Sequence, residues 1–390
     1  MGRVSFVWEL GGGYGHLVRY RGLIERLVAQ GHQVDFHAAA ETRARQIYAD
    51  LPIQVRKAPR GYTPAEHIIR RPNSFAEVLW NSGYSEADAL RWRIRYWRAM
   101  FEADRPDVVI ADYAPSAVLA CGTLGLRCIA SGNGFYVPPA LSPLPAYRSQ
   151  AAPAPQRDFE GRLLAVLNAA GEGLGARRLQ SVVEGILPSE VFLLTFAEFD
   201  PQPRPVGTEY LGAWPSQGVG SPPTFPEGGK KIFCYVDVNK LPDAFMTELR
   251  QANVSALIVG RGGLALPQDF LSSANVNVSA DIVDLPMAAA LCQAGITSGA
   301  LNSTLALLLA GKPVLALPTN LEQFLNARHL ERLGAGLSAP AAAPGNLAAK
   351  LGAVLADHDL HRGARRFAER YAGESSATAA DRMLARLDLP

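Results

Sequence analysis

"ITSGALNSTLALLLAGKPVLALPTNLEQFLNARHLERLGAG", Ile296 to Gly336, is the stretch whose reading decides the fold. A short apolar run meets a turn of small residues, Ser298-Gly299-Ala300, and then a helix beginning near Asn302-Ser303-Thr304. A helix start presents unbonded N–H groups and the positive end of its dipole, and nearby hydroxyls add donors, so it suits a diphosphate. A second strand, "PVLALP", ends at Pro318, and Glu322-Gln323 follow at the next helix start. A carboxylate beside an amide suits a polyhydroxyl ligand. Two ordinary helix caps explain Asn302 or Ser303 alone, but explain the whole ordered run poorly.

Strand-like and helix-like segments alternate on both sides of this run, which predicts parallel sheets covered by helices. In the first half, "RVSFVWEL" reads as a strand, Leu17 to Gln30 as a helix, "HQVDFHAA" as a strand, and "PDVVIAD" (Pro106 to Asp112) as a buried strand. "SAVLACGTLG" and "RCIASG" continue the pattern, and Val137 to Gln156 reads as a long Pro- and Ala-rich loop. Pro201 to Lys231 has linker composition, after which the alternation restarts at "KIFCYVDV". From the helix that follows "PVLALP", helices are expected to the end. The expected division is 1–215, binding an acceptor, and 216–390, binding a donor, with the last helix packing back on the first domain.

The whole chain agrees with that size. Its 390 residues suggest two or three domains. Hydrophobic residues make up 48% and charged residues 19%, enough to bury sizeable cores. A net charge of +2 gives no argument for a nucleic-acid partner. Cys121, Cys128, Cys234 and Cys292 form no C-x-x-C pair and read as buried, reduced thiols of a cytoplasmic protein. "MGRVSFVWEL" reads as a strand rather than a signal peptide, and no uncharged stretch is long enough to span a bilayer. Between Glu86 and Ala103, Leu90, Ile94, Trp97 and Phe101 share one helix face, with Arg91, Arg95 and Arg98 beside it. The arginines could face an anionic lipid or acceptor, but ordinary packing with solvated arginines accounts for the pattern better.

"LGGGYGHLVRYRGLIERL", Leu10 to Leu27, poses a choice. A dinucleotide fingerprint needs G-x-G-x-x-G and an acidic residue about twenty positions on. Gly11 and Gly13 fit, and Asp35 is near the acidic slot at the end of the second strand, but His16 stands where the third glycine belongs. Close helix–strand packing needs that glycine. The loop Gly13-Tyr14-Gly15 instead brings His16 to the carboxyl edge of a parallel sheet, where ligands bind. A neutral imidazole there accepts a proton near pH 7. Asp112 ends "VVIAD" on the same edge and could hold the imidazole N–H. The competing readings are a histidine capping its own helix and an aspartate capping the next one.

The Ile296–Gly336 run resembles the donor-binding segment of two-domain GT-B glycosyltransferases of the UDP-glucuronosyl/UDP-glucosyltransferase type. "NSTL", "AGKPVLALP", "EQ" and "NA" match in order. "DIVDLPMAAALCQAG" is similar to the family segment whose backbone, here at Leu285 and Pro286, contacts the nucleotide base. "GGGYGH" resembles the loop carrying the family's histidine base, and "PDVVIAD" the strand ending in its partner aspartate. The resemblance implies an α/β chain of two Rossmann-like domains whose parallel sheets face a central cleft that closes about the linker. It implies a metal-independent, inverting transfer from a UDP- or dTDP-sugar, with no cofactor beyond that co-substrate. His16 and Asp112 would be catalytic. Ser298, Gly299, Ala300, Asn302, Ser303, Thr304, Glu322 and Gln323 would hold the donor.

The sequence also departs from the family. Ser298 replaces the histidine that usually touches phosphate, Ala306 replaces the glutamate that usually binds ribose, and Asp284 stands where some members stack an aromatic on the base. "CYVDVNKLP" lacks the usual glycine-serine turn. Arg19 stands where many members have proline, and Gly-His-x-x-Arg occurs in nucleotide-sugar hydrolases of the same fold. A hydrolase and a catalytically silent partner protein are therefore the alternatives. The acceptor, a small molecule, lipid or peptide, would lie on the loops Gly61 to Tyr84 and Val137 to Gln156.

Overall fold

The computed structural model describes residues 1–13, 15–148, 153–213, 215, 218–237, 243–260, 273–279, 281–341, 345 and 347–390. The chain divides into two compact units, Met1–Gly212 with Ala380–Pro390, and Ala213–Ala379. The first holds β1 (Arg3–Trp8), β2 (Gln33–Ala38), β3 (Gln54–Lys57), β4 (Val108–Asp112), β5 (Cys128–Gly132) and β6 (Glu190–Leu193) in the order β3-β2-β1-β4-β5-β6. The second holds β7 (Lys230–Val236), β8 (Val254–Gly260), β9 (Val276–Ser279), β10 (Ala294–Thr297), β11 (Val314–Ala316) and β12 (Gly336–Ser338) in the order β12-β11-β10-β7-β8-β9. Every neighbouring pair is parallel.

Each unit is therefore a Rossmann-like, doubly wound sheet. The apolar strands explain it: β4 and β10 are buried along their whole length, as strands covered on both faces must be. In each sheet the winding reverses beside its first strand, between β1 and β4 and between β7 and β10. The crevice at the carboxyl ends of such a strand pair is the place where this topology receives ligands.

Several elements differ from the sequence reading. The first helix is broken into Gly15–Val18 and Arg21–Ala29, with the Arg19 Nε–H donating to the Gly15 carbonyl at 2.8 Å beside the break. Helix Pro153–Gly171 begins inside the expected long loop, of which residues 149–152 lie outside the described residues. β12 interrupts the expected run of helices. It is three residues long and Gly336 faces Val314 across the ladder, where a Cβ would stand 2.1 Å from the Val314 carbonyl oxygen. A strand so short and small shows no periodicity. Asp35 lies in the middle of β2 rather than at its end, buried 3.6 Å from the Arg3 Nε, so it cannot serve a ligand at the carboxyl edge.

The helix Ala87–Asp104 buries Leu90, Ile94, Trp97 and Phe101 as its spacing predicts. Arg91 and Arg98 donate to the carbonyls of Ala169 and Leu174, and Arg95 is exposed. Two of the three arginines thus serve packing within the unit. All four cysteines are buried with free thiols, and burial pushes the Cys292 thiol up to about 11. Among the described residues, no helix is long and apolar enough to cross a membrane.

Candidate active site

The winding reversal of the first unit puts Trp8, the last residue of β1, directly beside Asp112, the last residue of β4. The loops leaving these two strands are tied by a backbone bond from the Leu10 N–H to the Tyr113 carbonyl, 3.1 Å. Tyr113 adopts a left-handed conformation, φ 47°, which a residue with a Cβ takes at some cost. Half-buried Gly13 and Gly15 bracket position 14, which lies outside the described residues, and lead into His16.

His16 and Asp112 meet here. The imidazole Nδ1 stands 3.1 Å from Asp112 Oδ1, and both residues are buried. A carboxylate only accepts, so the bond places the proton on Nδ1 and leaves the Nε2 lone pair open. Gly11, at φ 84° and exposed, lies over that nitrogen: a Cβ would come within 2.9 Å of Nε2. The glycine therefore clears the approach to the basic atom. His16 does not cap its helix through its side chain, and the N-cap position before helix Pro115–Leu124 is Ala114, not Asp112. Arg19 Nε stands 3.9 Å from Asp112 Oδ2, placing a positive charge beside the carboxylate. Burial, then the Asp112 charge, raises the Tyr20 phenol well above its ordinary value, so its hydroxyl stays protonated and bonds Ser131 Oγ at 2.8 Å.

The sequence reading passed over two parts of this site. Aromatic rings surround the imidazole: Trp8 stacks on it with centroids 4.9 Å apart and planes 13° apart, and Tyr136 lies tilted at 5.0 Å. Tyr113 and Tyr136 stack on each other at 4.3 Å. Beneath them lies a buried ion pair, Glu9 to Arg93, 2.6 Å, with side chains 0% and 1% exposed. Glu9 also accepts from Ser116 Oγ at 2.5 Å and from the Tyr84 hydroxyl at 3.3 Å. It thereby joins the end of β1 to the helix that follows β4. An acidic residue closing an apolar strand, "VSFVWEL", was the available signal; its arginine, 84 residues away, was not findable from spacing.

In the second unit the segments singled out by sequence leave the carboxyl edge after β9, β10 and β11. Gly299 has φ 77°, and a Cβ there would meet the Gln323 carbonyl oxygen at 2.8 Å. Its own carbonyl accepts from Asn326 Nδ2 at 3.0 Å. Ala300 is the N-cap of helix Leu301–Leu309 and offers no side-chain cap. Asn302 is half-buried on the first turn. Ser303 and Thr304 are buried, their hydroxyls engaged with the Ala300 carbonyl and with Thr297 Oγ1, both at 3.1 Å. Gln323 Oε1 accepts from the Thr319 N–H at 2.8 Å, and its Nε2 donates to Ser298 Oγ at 3.4 Å. Asn320 caps the helix Leu321–Arg332, and Glu322 is half-buried on its first turn. Leu285 and Pro286 open the helix Leu285–Leu291 and are half-buried. Asp284 caps that helix through the Met287 N–H at 2.9 Å and also accepts from the Gly218 N–H at 2.8 Å, so its position is occupied by backbone. Thr297 and Thr319 form part of this network and carry no motif of their own, and Asn326, from the matched "NA", bonds the Gly299 carbonyl.

No family model matches the chain, and no curated protein matches it. Solved structures do. The glycotransferase of kitacinnamycin is 21% identical with TM-score 0.71, over 100% of this chain and 99% of that one. The glycosyltransferase SnogD from Streptomyces nogalater is 19% identical with TM-score 0.64, over 99% of this chain and 100% of its own. The spinosyn rhamnosyltransferase SpnG complexed with thymidine diphosphate is 19% identical with TM-score 0.67, over 98% and 100%. The same enzyme complexed with spinosyn aglycone is 18% identical with TM-score 0.65, over 99% and 100%. With two doubly wound sheets in the same chain order and likeness over nearly its whole length, the chain has the GT-B fold of these glycosyltransferases.

Proposed function

We propose that the chain is an inverting glycosyltransferase that moves a sugar from a nucleoside diphosphate sugar, a dTDP-sugar foremost, to the hydroxyl of an apolar acceptor. The observation that carries this reading is the 3.1 Å bond from His16 Nδ1 to Asp112 Oδ1, with Nε2 left open beneath Gly11. The acceptor O–H gives its proton to Nε2. Its oxygen forms a bond to the anomeric carbon as the bond from that carbon to the diphosphate breaks on the opposite face. Asp112 stabilises the imidazolium, and general-base help of this kind contributes about 10²–10⁴ in rate. In the second unit, the start of helix Leu301–Leu309 would receive the diphosphate on its N–H groups. Asn302 and Glu322, on the two helix starts, would reach polar groups of the donor, while Gln323, Ser303 and Thr304 hold the loops in shape. SpnG, solved with thymidine diphosphate and with spinosyn aglycone, supports the choice of donor nucleotide and of a small-molecule acceptor. The Tyr113–Tyr136 stack beside His16 suits an apolar acceptor.

The test is thermal melting with dTDP, UDP, GDP and their sugars, followed by product analysis with apolar alcohols. A ligand at 100 times its Kd adds about 2.7 kcal/mol. Failure of every nucleotide to raise the melting temperature sinks the donor site. A product anomer matching the donor's configuration sinks inversion. Sugar release at full rate without any alcohol makes the chain a hydrolase.

A further inference from the structure

We infer that Trp8 is a positioning residue of the base: its indole face holds the imidazolium that forms on His16 when the acceptor is deprotonated. The inference rests on the reading of His16 as the base. Trp8 is fully buried, so it touches no substrate and acts through His16 alone. Its indole N–H donates to the Leu10 carbonyl at 2.5 Å, which fixes the rotation of the ring. The fixed ring lies nearly parallel to the imidazole, with centroids 4.9 Å apart and planes 13° apart.

An indole face carries negative potential, and a cation within about 6 Å of a desolvated ring is attracted to it. The neutral imidazole gains much less. The stack therefore strengthens in the direction of the reaction, as the proton moves from the acceptor oxygen to Nε2. An aliphatic wall would exclude water from His16 equally well but would offer the new charge nothing in return. Of the other groups facing the ring, only Tyr136, with its centroid 5.0 Å away, lies within the same reach, and it is tilted rather than stacked. Asp112 acts in the ring plane at Nδ1, and Arg19, 3.9 Å from Asp112 Oδ2, opposes the positive charge. Tyr136 is tilted by 44° and Tyr113 lies 6.3 Å away, while burial keeps the Tyr20 and Tyr48 phenols protonated.

The experiment compares the wild-type chain with Trp8→Leu, Trp8→Phe and protein carrying fluorotryptophan, whose face is less negative but whose shape is nearly unchanged. Two quantities are read: kcat/KM against pH, and the titration midpoint of the His16 ring by NMR, assigned with His16→Gln. In Trp8→Leu the acid limb and the NMR midpoint should both move to lower pH, by about one unit, a tenfold change in the imidazolium fraction. The plateau rate should fall by about threefold to tenfold while the donor KM holds. Trp8→Phe and fluorotryptophan should give smaller shifts of the same sign, which keeps the test decisive if the leucine variant does not fold. Unmoved midpoints, or midpoints moved to higher pH, overturn the inference. Wild-type turnover in His16→Gln instead overturns the reading of the base, and the NMR titration separates the two results.

Discussion

The two winding reversals share one topology and end in contrasting sets of side chains. Beside β1 and β4 the edge is built from large aromatic rings and fully buried charge: Trp8, Tyr113, Glu9 with Arg93, and His16 with Asp112. Among the described residues, the turn after β10 is built mainly from small residues bonded to one another and to backbone, Thr297, Ser298, Gly299, Ser303 and Thr304, with Gln323 bonding Ser298 and Tyr235 of β7 beside Thr297. A proton-accepting site needs groups whose charge state matters, held rigid in a low dielectric. The diphosphate site proposed for the second unit would need backbone N–H groups and room, which small residues leave. The sheet supplies a place, and the side chains at its edge decide what can happen there.

The comparison breaks hardest at the base. On the proposed reading, His16→Ala should cut the rate of sugar transfer per folded molecule by about 10²–10⁴, with a separate loss of stability because Asp112 stays buried without its partner. A variant that transfers sugar at the wild-type rate removes catalysis from the first unit altogether.

Next comes the buried ion pair. Glu9→Ala leaves the Arg93 guanidinium without its partner in a dry site and should cost about 3–5 kcal/mol in denaturant unfolding. The double change Glu9→Met with Arg93→Leu should recover most of that stability. A single variant of near wild-type stability would mean the pair is solvated.

Acid sharpens the contrast further. Burial pulls His37, fully buried in β2 with its Nε2 3.5 Å from Asp104, down to about 4, against the opposing pull of Asp104. An imidazole kept neutral in the fold contributes stability that is complete above its unfolded value near 6.5. That stability is lost as pH falls from there toward 4, because the unfolded chain takes the proton first. Unfolding between pH 7 and 4 should show a loss of up to about 3 kcal/mol that His37→Leu diminishes. An equal acid loss in both proteins assigns the sensitivity elsewhere.

The smallest effect is expected in the second unit. Gly299→Ala places a Cβ 2.8 Å from the Gln323 carbonyl at a left-handed φ and should cost about 1–3 kcal/mol, with weaker binding of dTDP. Calorimetry of dTDP binding measures it. Unchanged affinity would detach the nucleotide from this turn.

Much of this was legible along the chain. Strand alternation implied parallel sheets, as found, and the order "NSTL", "AGKPVLALP", "EQ" pointed to the turns that leave β10 and β11 as the proposed donor site. His16 in the slot of a third glycine argued against a dinucleotide, and the mid-strand place of Asp35 agrees with it. Elements without periodicity were not legible. β12 is only three residues, Gly336-Leu337-Ser338, too few to show alternation, and an arginine folds back on its own loop beside the break between Gly15–Val18 and Arg21–Ala29.

By itself, then, the sequence determined which segments become strands and which residue types reach their carboxyl ends, because burial and turn chemistry act locally along the chain. Only the tertiary structure decided which of those residues meet. Strand order joined Trp8 to Asp112 across more than a hundred residues, and Glu9 to Arg93 across 84. Those contacts set the ring stack, the proton's place on Nδ1 and the open face of Nε2, because charge, dielectric and ring geometry belong to neighbours in space and not in sequence.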